Sequence, residues 1–130
     1  MNEVLLAIKK ELWRWKNMLI CLVSNKSIPY KAIPKTTQFG HYGIGVIIND
    51  DVILGDHCFI GHNVTIGSKN KGVPVIEDHV QIHANSVVIG AIKIGHHSVI
   101  GAGAVCFKDV PPYSLVTDTN NIKEGYYKKE

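Results

Sequence analysis

An aliphatic residue recurs at every sixth position through the middle of the chain, and this repeat constrains the fold more than any other feature. The lead residues, with one slip of four positions, are Ile48, Leu54, Ile60, Ile66, Ile76, Ile82, Val88, Ile94, Ile100 and Cys106. Neither an α-helix, with a period of about 3.6, nor a flat strand, with a period of about 2, produces this recurrence. A coil with three short sides does, because each lead residue then points inward and stacks on its equivalent one turn later. The sequence therefore predicts an all-β fold, a parallel β-helix of hexapeptide repeats.

The other positions of each hexad fit the corners of such a coil. A glycine often follows the lead residue, and the fifth residue is small or β-branched, as in Cys58, Val64 and Ser86. Glycine eases the backbone at a corner, and a small side chain fits inside it. The four extra residues fall within 68–75, which we interpret as a loop projecting from one corner. Such a loop is a frequent place for function, and a tolerated insertion is the alternative.

The segments that flank the repeat divide the chain into three parts. Residues 1–38 are predicted to form one helix over 2–23 and then an extended linker containing Pro29 and Pro34. Residues 39–115 hold the β-helix, and Pro111 and Pro112 are expected to end its coil. Residues 116–130 are polar and are expected to be loose. A coil of only about four turns has open edges and apolar sides, and repeat stacks this short usually associate.

The predicted helix is amphipathic. Its apolar residues, from Val4 to Leu22, follow one another at spacings of three or four, with lysines on the other faces. We expect this stripe to pack against the coil or a neighbouring subunit. Contact with a membrane surface through Trp13 and Trp15 is the alternative.

Composition excludes several classes of protein. A chain of 130 residues, 45% hydrophobic with a net charge of +3, is one folded domain without the dense basic stripe typical of nucleic-acid binding. The apolar run at 18–23 is too short to span a bilayer, which needs about 20 residues. Cys21, Cys58 and Cys106 form no CxxC pair, so neither disulfides nor structural zinc are expected. Together these features predict a cytoplasmic protein.

Residues 41–112 resemble the hexapeptide-repeat acyltransferases and, within them, the serine acetyltransferase group. The segment 40–49, GHYGIGVIIN, is similar to that group's His-x-x-Gly-Ile-Val-Val segment, and 60–67, IGHNVTIG, to its Val-Thr-Leu-Gly stretch. Residues 94–105 and 108–112 are similar to its closing coil. The resemblance implies a left-handed β-helix, a homotrimer, and acetyl-CoA as acyl donor in a groove between two coils.

The resemblance also implies roles for individual residues. His41 is then the general base that deprotonates an acceptor hydroxyl, since imidazole titrates near neutral pH. His62 and Tyr42 are expected to bind the acceptor, with a rival base or a surface residue as alternatives for His62. The residues expected to line the CoA arm are Gly67, Ser68, Ala84, Gly101 and Ala102, with Lys108 at the CoA phosphates.

Departures from the serine acetyltransferase pattern bear on the acceptor. Gly40 stands where those enzymes carry an acidic residue, and Gly72 and Val73 stand where they carry Arg-His. The aspartate that orients their histidine has no evident counterpart in 24–29. In the serine acetyltransferases these charged side chains would hold the amino and carboxylate groups of serine. Because this chain lacks them, we favour as acceptor a sugar hydroxyl of a surface polysaccharide or its precursor. Serine O-acetylation for cysteine synthesis is the alternative, and a non-catalytic trimeric scaffold is a further one.

The spacing of the remaining histidines does not predict a metal site. His57, His79 and His97 take the fourth place of their hexads, His96 the third and His83 the second. The third and fourth places point outward at corners, without a carboxylate or cysteine at ligand spacing. We interpret these histidines as solvated corner residues and expect no metal.

Overall fold

Short strands wind into a three-sided coil in this computed structural model, which describes residues 2–24, 27–29 and 32–128. In chain order the elements are α1 (Glu3–Ser24), β1 (Gln38–Phe39), a turn (Gly40–Gly43), β2 (Ile47–Ile48), β3 (Ile53–Leu54), β4 (Phe59–Ile60), β5 (Thr65–Gly67), β6 (Val75–Ile76), β7 (Gln81–Ile82), β8 (Val87–Ile89), β9 (Lys93–Ile94), β10 (Val99–Ile100), β11 (Val105–Cys106), β12 (Leu115–Thr117) and β13 (Asn121–Lys123).

The strands form three flat faces, which we name A, B and C. Face A contains β2, β5, β8 and β11, face C contains β3, β6 and β9, and face B contains β1, β4, β7, β10 and β12. The chain visits B, A and C in turn, and each strand pairs in parallel with the strand one turn away, as Ile66 does with Val88. The corners between faces are named B–A, A–C and C–B in the order in which the chain turns them.

The core is the stack of lead residues, as the repeat predicts. All ten lead positions are buried, and Ile60, Ile82 and Ile100 are completely inaccessible. The fifth positions of the hexads are buried beside them at the corners. Burying each aliphatic side chain contributes about 1.5–3 kcal/mol, so this column holds the short strands together. The predicted parallel β-helix is confirmed.

The four-residue slip is a projecting turn at the A–C corner, as predicted. Lys69 and Gly72 exchange two backbone hydrogen bonds, of 2.9 and 3.0 Å. Between them Asn70 and Lys71 have left-handed φ values of 52° and 64°. The extra residues therefore leave the coil and return to it without disturbing the stacking of the core.

The coil begins earlier than predicted. Ser27, in the segment expected to be a linker, forms a parallel bridge with Ile47 on face A. Ile28 is buried in the core, and β1 then starts face B. Part of this extended segment is thus the first turn of the coil.

The coil also ends later than predicted. Pro111 and Pro112 do not stop it, because β12 continues face B beyond them by pairing with β10. A proline lacks the N–H donor but keeps its carbonyl, and the Pro111 carbonyl accepts a hydrogen bond from Ser98 Oγ at 2.8 Å. The tail expected to be loose instead forms β13, antiparallel to β12.

Helix α1 matches its predicted position to within one residue at each end. Its N-terminus is capped by Asn2, whose side-chain oxygen accepts a hydrogen bond from the Leu5 amide at 2.8 Å. Leu12, Trp15 and Leu19 remain exposed, so these three residues of the stripe do not pack against the chain's own coil. Within the described residues, no helix has the length and apolar character needed to cross a membrane.

Candidate functional site

His41 and His62 meet at the B–A corner. Their ring centroids lie 5.0 Å apart and their planes are nearly perpendicular, at 89°. His41 is exposed, and His62 is half-buried beside it. His41 and Tyr42 both have left-handed φ values, of 48° and 58°. Non-glycine residues in this region are uncommon in proteins generally, but they recur at the corners of this coil, as at His57 and His79.

The turn that carries His41 is fixed by the coil around it. A Cβ placed on Gly40 would lie 3.2 Å from Cζ of Phe59, so this ring packs directly on the residue before His41. The Ile44 amide donates to the His41 carbonyl at 3.2 Å, and the Asn63 amide donates to the Ile44 carbonyl at 2.8 Å. The His41 turn is thus stacked under the turn that carries His62.

Small residues continue this corner along the coil axis. The Asn85 amide donates to the His62 carbonyl, and one turn later the Gly103 amide donates to the Ala84 carbonyl. His62, Ala84 and Ala102 therefore occupy equivalent positions on successive turns. Ala84 is half-buried and Ala102 is exposed, and their short side chains leave the corner open beyond His62. Gly101 adjoins this column, with close packing of its Cα against the Val116 carbonyl.

The other predicted CoA contacts lie at the opposite edge of face A, at the A–C corner. Gly67 and Ser68 line a cavity of about 380 Å³ together with residues of β2. Lys108 is exposed just after β11. Lys69, which the sequence reasoning missed, places its ammonium 4.3 Å from the ring centroid of Phe107, the neighbour of Lys108. Its position next to Ser68 was the available signal. A single chain does not bring these A–C corner residues together with the column at the B–A corner.

Other groups at or near the coil have defined environments. In residues 2–24, 27–29 and 32–128 no carboxylate forms an ion pair with His41, and the His62 ring is its aromatic neighbour. Burial raises the pKa of the Cys58 thiol and of the Cys106 thiol. Both cysteines are buried, as expected, and their raised pKa values disfavour the thiolate that a nucleophile needs.

Three of the remaining histidines stack with a tyrosine at the C–B corner. The rings of His57, His79, His97 and Tyr113 follow one another at centroid distances of 5.0, 4.7 and 5.0 Å, with interplanar angles of 11°, 20° and 16°. We call these four residues the ring ladder. The histidines are exposed corner residues, as predicted, but their stacking was missed. The described residues contain no group of three or more His, Cys, Asp or Glu side chains arranged to hold a metal ion.

Comparison with known families accounts for the coil. Residues 74–108 match the model described as bacterial transferase hexapeptide (six repeats), and residues 51–75 match the hexapeptide repeat of succinyl-transferase. The chain is thus similar to hexapeptide-repeat proteins and, among them, to the serine acetyltransferases. Among solved structures, that of Neisseria gonorrhoeae serine acetyltransferase in complex with serine superimposes with a TM-score of 0.62 and 36% identity. The match covers 68% of this chain and 36% of that one.

Curated relatives of this chain include proteins named as serine acetyltransferase and as a colanic acid biosynthesis acetyltransferase. Serine acetyltransferase of Synechococcus elongatus is 39% identical over 77 residues, which cover 56% of this chain and 32% of the relative. WcaB of Escherichia coli, named for an acetyltransferase role in colanic acid biosynthesis, is 39% identical over 79 residues, covering 58% and 49%. The matched region thus spans about a third to a half of the length of these relatives.

Proposed function

We propose that this protein is an acetyl-CoA-dependent O-acetyltransferase that acts as a homotrimer on a sugar hydroxyl, with His41 as general base. The observation that carries the proposal is the contact between the His41 and His62 rings at a corner of a coil similar to those of acetyltransferases. The two imidazoles lie at the start of an open corner, where an acceptor and a donor can approach each other.

In the reaction assigned to this site, one imidazole first accepts a proton and later donates it. His41 takes the proton of the acceptor hydroxyl while the oxygen attacks the thioester carbonyl of acetyl-CoA. This attack forms the C–O bond and a tetrahedral intermediate. The C–S bond breaks when that intermediate collapses. The departing CoA sulfur then receives the proton from the imidazolium. His62, whose ring lies against His41, is assigned to orienting that ring and, with Tyr42, to binding the acceptor.

The placement of the residues expected to contact CoA supports assembly of the chain into an oligomer. Gly67, Ser68 and Lys108 lie at one edge of face A, and the Ala84 and Ala102 column lies at the other. One CoA arm contacts both sets only if two chains face each other across a groove. Lys108 and Lys69 would then supply positive charge for the CoA phosphates.

Face A itself has the character of a surface that another chain covers. Its outward side chains are aliphatic or β-branched: Ile47, Thr65, Val87 and Val105. Ile47 is 52% exposed in the single chain. Burying such a strip against a second copy is favourable, so a homotrimer both completes the groove and covers the face.

The residues at three positions where serine acetyltransferases carry charged or imidazole side chains favour a sugar over serine as acceptor. Gly40 beside His41, and Gly72 and Val73 in the 68–75 loop, offer no side-chain charge for a free amino acid. The similarity to WcaB supports a polysaccharide substrate. Serine is the second candidate, since several of the most similar relatives and structures are serine acetyltransferases.

Thiol release from acetyl-CoA tests the proposal directly. The protein is incubated with acetyl-CoA and, in parallel, with L-serine, simple sugars, nucleotide sugars and polysaccharide fragments. We expect release with a sugar acceptor and a loss of kcat of about 10²- to 10⁴-fold in His41→Asn. Asparagine tolerates the left-handed backbone of this position, so the substitution removes the imidazole without adding strain.

Lys10→Ala is the control, because it removes an exposed side chain on α1, away from the His41–His62 corner and the lining of face B, and it should keep the wild-type rate. Normal turnover in a folded His41→Asn protein would refute the role of His41. Release with serine alone would select the second candidate. Failure of calorimetry to detect CoA binding at millimolar concentration would leave only the scaffold.

A further inference from the structure

A groove runs along face B, and no step of the proposed reaction uses it. Its volume is about 890 Å³. The outward side chains of Phe59 and Gln81 form part of its floor, the ring ladder forms one wall, and Tyr127 closes over it near the C-terminus. The Tyr127 amide donates to the Tyr113 carbonyl at 2.9 Å, which fixes this cover to the ladder.

The groups that line the groove suit a polyhydroxylated ligand. Neutral imidazole, carboxamide and phenol groups both donate and accept hydrogen bonds, as sugar hydroxyls do. The ladder supplies the imidazole edges, and Gln38 and Gln81 supply two carboxamides. Phe59 and Tyr127 add aromatic surface. Among the described lining residues there is no carboxylate, so the groove lacks the paired fixed charges that a free amino acid requires.

The length of the groove exceeds that of a single sugar ring. The ladder advances by one coil turn per ring, through three steps of 5.0, 4.7 and 5.0 Å from His57 to Tyr113. This is on the order of 15 Å along the axis, because successive turns are spaced like paired strands. Such a wall offers a hydrogen-bonding edge to several consecutive units of a chain.

The ladder is also rigid. His57, His79, His97 and Tyr113 all have left-handed φ values, between 57° and 58°. Each backbone is hydrogen-bonded to the turn beneath it, as the His97 amide is to the Asp78 carbonyl at 3.2 Å. Rings fixed in this way lose little conformational entropy when a ligand binds, so the wall is organised in advance.

The groove leads to the proposed catalytic turn. Phe59 packs on Gly40, the residue before His41, and its ring lies 5.7 Å from that of His83, which also lines the groove. A ligand on the floor at Phe59 is therefore next to the B–A corner, where His41 and His62 meet.

We propose that the face B groove binds an oligosaccharide, holding the sugar units that flank the acetylated one against the ring ladder and Gln81. This inference rests on the proposed function, because it describes the remainder of the same acceptor. It makes the protein selective for a polymer or an assembled repeat unit over a free monosaccharide.

Binding without acetyl-CoA tests the groove separately from catalysis. The full-length protein is applied to an array of defined bacterial saccharides, each present as monosaccharide and as longer fragments. We expect retention on longer fragments and about five- to tenfold weaker binding in Gln81→Ala and in His79→Asn, as for the loss of one or two hydrogen bonds. Asparagine again suits the left-handed position of residue 79.

Asn121→Ala is the control, since it removes an exposed carboxamide from β13 outside the groove lining, and it should bind as the wild type does. Equal binding by all three variants, or no preference for longer fragments, overturns the inference. A change of oligomeric state in Gln81→Ala also overturns it, because face B would then be an interface between copies. Retention on the array without acetyl transfer refutes the proposed activity but supports saccharide binding in the groove.

Discussion

Ser98 is expected to contribute more to stability than any surface residue of the coil. It is completely buried at the C–B corner, where its hydroxyl donates to the Pro111 carbonyl at 2.8 Å and accepts from the Ser114 amide at 3.0 Å. Ser98→Ala removes both bonds and leaves the buried Ser114 N–H without a partner. The unpaired amide costs about 1–3 kcal/mol and the lost bond to Pro111 about 1 kcal/mol, partly offset because no hydroxyl is buried. We expect a net loss of about 2–3 kcal/mol in the free energy of unfolding.

Ser86 provides the matched control. It is equally buried, but its hydroxyl makes a single local bond, donated to the His83 carbonyl at 2.6 Å. Ser86→Ala should therefore cost about 1 kcal/mol. Urea unfolding of both variants at one fixed protein concentration measures the difference. Equal losses would show that the bridge from Ser98 to the last turn does not stabilise the coil.

Two further predictions concern titratable groups. In a Cys21→Ser background, Cys58 and Cys106 should react with a thiol reagent at pH 8 only as fast as the protein unfolds, because both are buried and burial raises the pKa of each thiol; fast reaction of the folded protein would contradict this. The Lys93 ammonium, 2.8 Å from Glu77, holds the pKa of that carboxyl below its ordinary value of 4.5, with help from the His96 amide. The ion pair therefore stabilises the protein above pH 4.5, and its contribution is lost as the pH falls through the lowered pKa. Glu77→Gln should cost less than about 1 kcal/mol at pH 7, with a gap from the wild type that narrows in acid; a gap that widens would contradict this.

The core was predictable because the hexad pattern that places its residues is local and repeats along the chain. Each lead residue is read from its own hexad, so burial of Ile60 or Ile100 follows without knowledge of any distant contact. The ends of the coil follow no such rule. Whether Pro111 stops the coil depends on a buried hydroxyl thirteen residues earlier, at Ser98, which accepts the next turn's amide.

The arrangement of the candidate site was not predictable from the sequence. His41 was singled out by its motif, but its contact with His62 depends on the stacking of two corners. The ring ladder was missed although His57, His79 and His97 share the fourth hexad place, because they are 22 and 18 residues apart and stack only when whole turns of the coil are superposed. Superposing whole turns, with the slip removed, would have aligned the three histidines, whereas Tyr113 follows His97 by only 16 residues and would still have been missed.

The reversal of the chain at β13 has a consequence for solubility. A stack of parallel strands ends in a row of unpaired backbone groups, which invites another chain to add a further layer and begin a fibre. Strand β13 occupies that row on face B by running antiparallel to β12, with Val116 opposite Ile122. A further parallel turn of coil cannot pair with β12 on face B, because β13 already occupies that edge. This last hairpin therefore hinders lengthwise growth of the coil on that face.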